Sequence, residues 1–388
     1  MSLDLLQNGQ GTSLPLVKPE NGRPKRGTSG DRPSAASAQP PTTKRKRLAN
    51  ATDGQDHWEQ GRRIKLGQDT TAHVAAFHPS DGLTLATGSS DGFVELWNAH
   101  TGKLRTDLSY QAADEIMMHS KGVLGLDFSP DGKLLASCSA DSRIKVWTVK
   151  NGKCRTKIKD AHHGRPVNCV AFSKQGDRLA SGGEDHVVRI FGIASGNPAV
   201  ELRGHESQIT HVVWVRQDQA VVSGSSDHSV RLWDCRSAAE LARITLDAPL
   251  ASLSVFRRTG EANETILACS RGAKLLLLDA SQLAIVGEAA MPQSPGRAQL
   301  VGCATNRRAS SLVLALENGA LFSANISTVF AKEASSNSWN AIACDQQLEE
   351  VGFLAHHRRD GLAAVGGQDG SKRGIVQMLT ASDGRSSA

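Results

Sequence analysis

One phrase returns along this chain at intervals of about 40–45 residues, and nothing else in the sequence limits the fold so tightly. It first reads Phe77-His78-Pro79-Ser80-Asp81-Gly82, then Leu85-Ala86-Thr87-Gly88-Ser89-Ser90-Asp91, then Val94-Glu95-Leu96-Trp97. It comes back as Phe128-Ser129-Pro130-Asp131-Gly132, Leu135 to Asp141 and Ile144-Lys145-Val146-Trp147. A third copy runs from Phe172-Ser173-Lys174-Gln175-Gly176 through Leu179–Asp185 to Val188–Phe191, and a fourth from Ile209 to Leu232-Trp233-Asp234. Short alternating runs separated by Asp-Gly turns are β-hairpins in series. A chain of 388 residues exceeds the ~250–300 at which a single core stops growing, unless its architecture is repetitive. The expectation is all-β.

Composition agrees with that reading. There are 37 glycines but only 4% aromatic residues, as tight turns between short strands require. Seven cysteines stand singly with no C-x-x-C pair, which excludes a disulfide scaffold or zinc ribbon and fits a reducing compartment. No run approaches the ~20 apolar residues of a membrane span, and Met1–Pro15 lacks the pattern of a secretory signal.

The repeats resemble WD40 repeats, whose four-stranded blades close into a β-propeller. The resemblance implies a tetrad of His, Ser or Thr, Asp and Trp that joins each blade by hydrogen bonds. In the fourth repeat these fall on His205, Ser223, Asp227 and Trp233. The same offsets give His119, Ser137, Asp141 and Trp147 in the second, and His163, Ser181 and Asp185 in the third, where Phe191 takes the Trp position. The first repeat keeps Thr87, Asp91 and Trp97, with Asp69 at the His position. Three degenerate blades follow at Leu250–Glu288, Gln299–Ala343 and from Val351 to Leu379, for a total of seven. Residues 56–382 are expected to form the propeller. Arg62–Gly67 would supply the last blade's outer strand, because Ser382–Ala388 is polar and reads as a flexible end.

Residues 1–55 read as a disordered basic tail, rich in Ser, Thr, Pro and Gly. Nine of the 45 basic and three of the 39 acidic residues lie in positions 1–50. The remaining 36 of each sign cancel, so the net charge of +6 belongs to the tail. Lys44-Arg45-Lys46-Arg47 is a candidate nuclear-import signal or a solvated charge cluster. A neutral body lacks the basic excess of a nucleic-acid reader, although a local patch is compatible with a neutral total.

Catalytic and metal chemistry find no support. His–Ser–Asp sets recur blade by blade, which suits structural networks rather than a triad. Asp131-Gly132-Lys133 lacks phosphate-loop spacing. His162-His163 and His356-His357 are adjacent pairs whose side chains point opposite ways on a strand. Trp58 and Trp214 read as packing residues. The expectation is a protein that is no enzyme and takes neither cofactor, metal nor small-molecule substrate.

The connection after the first repeat, Asp107 to Met118, is longer than usual and holds the only tyrosine and two of the five methionines. Tyr110, Gln111, Met117 and Met118 are candidate partner contacts, with a loop packed on the neighbouring blade as the alternative. With Asp91–Asn98, Thr101-Gly102-Lys103, Ile144–Trp147, Ala161-His162, Arg189-Ile190-Phe191-Gly192, Ser195-Gly196 and Ile64–Gly67, this connection is similar to the SMU family of spliceosomal WD40 proteins. The likeness covers roughly residues 62–380 and is concentrated before Asp234. It implies a nuclear scaffold of the precatalytic spliceosome bound to the protein called RED, with RNA contact secondary. The family's helical N-terminal LisH and CTLH modules have no counterpart in the apolar pattern of residues 1–60. A rival reading stays open. Trp233-Asp234-Cys235-Arg236 resembles the WDxR box of cullin-ligase substrate receptors, with Arg236 as the adaptor contact.

Overall fold

The computed structural model describes residues 57–112, 117–257, 263–272, 274–291, 298–305, 311–331, 339–342, 350–357, 362–368 and 373–382. Seven sheets of antiparallel strands are present, the number expected from the repeats. Each inner strand packs beside the inner strand of the next blade: Ala72–Phe77, Val123–Phe128, Val167–Phe172, Ile209–Val215, Leu250–Phe256, Leu300–Thr305 and Glu350–His357, with the last returning to the first. The result is a closed seven-bladed β-propeller.

The closing blade joins distant parts of the chain. His57–Gln68 is its outer strand and pairs antiparallel with Arg373–Ser382, Trp58 opposite Ala381 and Ile64 opposite Val376. Arg63 Nε donates to Gln377 Oε1 at 2.7 Å across this seam.

Hydrophobic burial is divided among seven slabs, one between each pair of neighbouring blades. Ala136, Ile144 and Val146 of the second blade meet Val170, Phe172 and Phe191 of the third. Val230, Leu232 and Leu250 join the fourth to the fifth, and Ile64, Phe77, Leu85 and Val376 join the seventh to the first. Strands buried on both faces explain why the second strands, such as Thr84–Ser89 and Ala220–Ser225, are buried at every position.

The first blade departs from the others at its outer edge. Lys103–Leu104 pairs with only the last residues of the third strand Phe93–Asn98, and Met117–Met118 pairs with its first two. A single helical turn, Ser109–Ala112, lies between the two short pieces in sequence.

Candidate functional site

The repeated polar sets come together as chains of hydrogen bonds. In the fourth blade Trp233 Nε1 donates to Ser223 Oγ at 2.7 Å, Ser223 Oγ lies 2.8 Å from His205 Nε2, and His205 Nδ1 lies 2.8 Å from Asp227 Oδ2. The directions are mutually consistent when the serine donates to Nε2 and Nδ1–H donates to the carboxylate. The second blade repeats this: Trp147 to Ser137 at 2.8 Å, Ser137 to His119 at 2.7 Å, His119 to Asp141 at 3.1 Å.

Burial opposes the charge on Asp227, but Ser229, the Glu206 N–H and His205 together hold its carboxyl well below the ordinary carboxylate range. Burial likewise opposes Asp141, which His119 and the Ser120 and Arg143 N–H groups hold low. Burial depresses His205, against the pull of Asp227. These carboxylates serve the blade: the serines beyond their histidines, Ser137 and Ser223, are fully buried and each already accepts a tryptophan N–H.

The third blade requires a correction. His162, not His163, is the tetrad histidine: its Nε2 lies 2.7 Å from Ser181 Oγ and its Nδ1 2.7 Å from Asp185 Oδ1. The interval from histidine to aspartate is 23 residues here and 22 in the second and fourth blades, because the turn before the inner strand holds one more residue. His163 is exposed and sits at φ +50° in the turn that precedes Val167. Phe191 replaces the tryptophan and is 1% exposed. In the first blade Asp69 is exposed at φ +58°, and its neighbour Thr70 meets Asp91 Oδ2 at 3.3 Å instead. Trp97 Nε1 still donates to Thr87 Oγ1 at 2.9 Å.

Three of the four candidate contacts in the long connection are packing residues. Tyr110, Gln111 and Met117 are 3%, 7% and 1% exposed, whereas Met118 is 48% exposed. Tyr110 packs over Gly152, where a Cβ would come 2.5 Å from its ring, and its hydroxyl donates to Val149 O at 3.1 Å. Burial pushes its phenol up to about 12. The physical reason is the shortness of the Lys103–Leu104 strand, which leaves the flank of the blade open for this connection to cover.

A second set of residues accompanies the tetrads and is not apparent from the tetrad pattern. Arg189 and Arg231, each two residues before the Phe or Trp, are almost fully buried. Arg231 Nη1 donates to Glu240 Oε2 at 2.8 Å, and Arg189 Nε to Glu201 Oε1 at 2.8 Å while its Nη1 bonds Asp185. The sequence signal is the cation recurring at this place, Lys145, Arg189 and Arg231. The first blade carries Glu95 there, and burial followed by the charge of Asp91 raises it to about 7. In the fifth to seventh blades Ala268, Leu314 and Val365 stand where Ser223 stands in the fourth, each opposite the second residue past the register shift of its inner strand, so apolar packing replaces the tetrad.

Trp214 is packed, its Nε1 donating to Ala171 O at 3.0 Å beneath the Arg178 guanidinium. Arg236 is exposed, and its backbone N–H caps onto Asp234 Oδ1 at 3.0 Å while its side chain makes no hydrogen bond among the described residues. Lys44–Arg47 and the side chains of Trp58, His356 and His357 lie outside what the structure describes. Among the described residues no three His, Cys, Asp or Glu side chains are placed to hold a metal ion. No helix among them is long and apolar enough to cross a membrane.

The family model described as "WD domain, G-beta repeat" matches residues 65–98, 114–148, 152–192 and 196–234, the first four blades. A stretch of 61 residues is 43% identical to "WD40 repeat-containing protein smu1" of Dictyostelium discoideum. That match covers 16% of this chain and 11% of the relative.

Proposed function

The chain is a WD40-repeat protein, and on that premise we propose that it is a non-catalytic scaffold of pre-mRNA splicing that works in the nucleus by binding spliceosomal proteins. The observation that carries this reading is the 43% identity over 61 residues to the slime-mould smu1 protein. The SMU-like residues of the first three blades point the same way. The fold suits the role. Rigid closed blades offer two broad faces and a rim to which several proteins can dock without deforming the ring. RED is the proposed partner, reached through the propeller, and contact with RNA is secondary.

Affinity purification of the tagged full chain from nuclear extract tests the proposal. Spliceosomal proteins, RED among them, are the expected co-purifying set. Arg236 is exposed and its side chain makes no hydrogen bond among the described residues, which keeps the ligase-receptor reading in play as the rival. Recovery of a cullin-ligase adaptor in place of splicing proteins, lost in Arg236→Ala, would overturn the splicing reading.

A further inference from the structure

In the third to fifth blades a cation on the third strand is met by an acid on the outer strand. Arg189 lies opposite Glu201, Arg231 reaches Glu240, and Lys274 Nζ lies 2.7 Å from Glu288 Oε1. The second blade breaks this rule. Across the same two strands the residue opposite Lys145 is Lys157. Like charges placed directly opposite destabilise a sheet. Burial, with Lys157 adding to it, lowers the pKa of Lys145.

Asp141 offsets part of this charge, but further positive charge continues along that edge. Lys150, Lys153, Arg155, Lys157 and Lys159 are all exposed, and none makes an ion pair among the described residues. From residue 142 to 165 the sole acid is Asp160, whose carboxylate accepts the Gly164 N–H. The folded body is neutral in total, yet residues 142–165 hold eight Lys and Arg against one acid.

Beside this edge, between the outer strands of the second and third blades, is a cavity of about 360 Å³. Ile158 and Pro198 give it apolar wall, and Arg189, 2% exposed, also lines it. Arg189 Nη2 is buried and has no hydrogen-bond partner among the described residues. An unsatisfied buried guanidinium N–H is costly, which makes it a ready donor to an entering anion. Glu201, the other acid in the wall, is already held by Arg189 and Arg203.

We propose that the outer edge of the second blade and this cavity together form a docking site for an acidic peptide segment of a partner protein. One carboxylate enters to meet Arg189 Nη2, and the lysines and arginine of the outer strand hold its neighbours. Among the described residues the strand Cys154–Ile158 pairs only with Ile144–Thr148, so its outer backbone edge can take an added strand, a recurrent mode of peptide capture. A nucleic acid fits less well. The one Phe, Tyr or Trp ring between 142 and 165 is Trp147, 6% exposed with its N–H bound to Ser137, so His163 is the one exposed ring at the cavity and no larger aromatic platform is offered for base stacking. The site does not depend on which process the scaffold serves, and its failure would leave the splicing reading untouched.

The test uses the full chain with Lys44–Arg47 changed to glutamine, so that the basic run of the tail does not supply the binding. It is titrated against a fluorescein-labelled ten-residue peptide of alternating Glu and Asp, and against its Gln/Asn counterpart, by anisotropy. The acidic peptide binds, the neutral one does not, and affinity falls as salt rises from about 50 to about 300 mM. Lys157→Gln with Lys159→Gln weakens binding about tenfold, and Asn197→Glu at the exposed cavity rim does likewise. Neither variant lowers the melting midpoint, and Lys157→Gln, which relieves the repulsion with Lys145, raises it slightly; this separates the effect from the folding loss that an Arg189 variant risks. Unchanged affinity in both variants, or equal binding of the neutral peptide, overturns the proposal. Tighter binding of a labelled ten-uridine RNA, lost in the same variants, overturns it in favour of a nucleic acid.

Discussion

The carboxamide of Gln111 closes on the backbone of Leu96 from both sides: Oε1 accepts its N–H at 2.7 Å and Nε2 donates to its carbonyl at 3.0 Å. A side chain here does what an outer strand does in the other blades. The third strand of the first blade is paired at its two ends by Leu104 and Met117 and stitched in the middle by Gln111.

Gln111→Ala should therefore destabilise the propeller by about 1–3 kcal/mol, since it leaves a buried backbone N–H without its acceptor. Met118→Ala, on the exposed side of the same short strand, should stay within about 0.5 kcal/mol. Denaturant titration of the two variants checks the contrast. Equal effects would remove the assignment of Gln111 as a strand substitute.

The adjacent histidines of the third blade give a second contrast. His162→Ala strands Ser181 and Asp185 and is expected to cost about 1–3 kcal/mol, more if the carboxylate stays charged. His163→Ala alters an exposed turn and is expected to cost less than about 0.5 kcal/mol. Thermal melts of the two variants beside wild type would expose a wrong assignment as a reversed order.

Asp227→Ala should cost a similar ~1–3 kcal/mol near neutral pH. Its carboxyl is held low in the folded state, so its ionised form stabilises the fold above the unfolded pKa of ~3.9, and that contribution is lost as pH falls through the lower folded value. The gap between wild type and variant should thus be constant from pH 8 to 5 and narrow below about pH 4. A gap that persists undiminished toward pH 2 would mean that the carboxylate charge plays no part.

Glu95 has the opposite sign. Its folded pKa of about 7 lies above the unfolded ~4.3, so stability is highest when it is protonated and declines as pH rises from about 4.5 to 7. Glu95→Gln removes that decline and should raise stability by up to about 2 kcal/mol at pH 8, with little gain at pH 5. A pH series of melting midpoints reads this directly. A gain of the same size at both pH values would point to packing instead of charge.

For the tail, a reporter fused to residues 1–55 is expected to enter the nucleus, and the same fusion with Lys44–Arg47 changed to alanine to remain in the cytoplasm. Microscopy of the pair decides it. Identical distribution of both removes the signal without removing a nuclear role, which a partner's import can supply.

The fold was legible where chemistry repeats at fixed spacing. Ser223, Asp227 and Trp233 recur because strand length and the tight turn at the aspartate, Asp227-His228 in the fourth blade, fix their separation, and a propeller follows from that recurrence. Beyond Asp234 the pattern thins because Ala268, Leu314 and Val365 fill the hydroxyl's place, leaving only strand alternation to read. A constant offset selects His163, since a one-residue lengthening of a turn leaves no mark when two histidines are adjacent. Tyr110 and Met117 resemble surface anchors in sequence because what buries them is supplied from elsewhere, Gly152 in the next blade for Tyr110 and the open third strand for Met117. The basic edge escaped a charge count because residues 51–388 hold 36 acidic and 36 basic residues in all.

The seam between His57–Gln68 and Arg373–Ser382 also sets a timetable for synthesis. Its side-chain contact between Arg63 and Gln377 spans 314 residues of sequence. While the ribosome is still making blades one to six, the first strand has no mate, and its backbone edge faces a crowded cytoplasm. Blades can stack in order as they emerge, but the ring stays an open arc until the last strand is released. The loop-closure cost grows only slowly with length, so the final joining is delayed less by entropy than by waiting for Arg373–Ser382 to be made. Newly made molecules therefore pass through a stage in which a chaperone, or a second unfinished copy, competes with the chain's own last strand for the same edge.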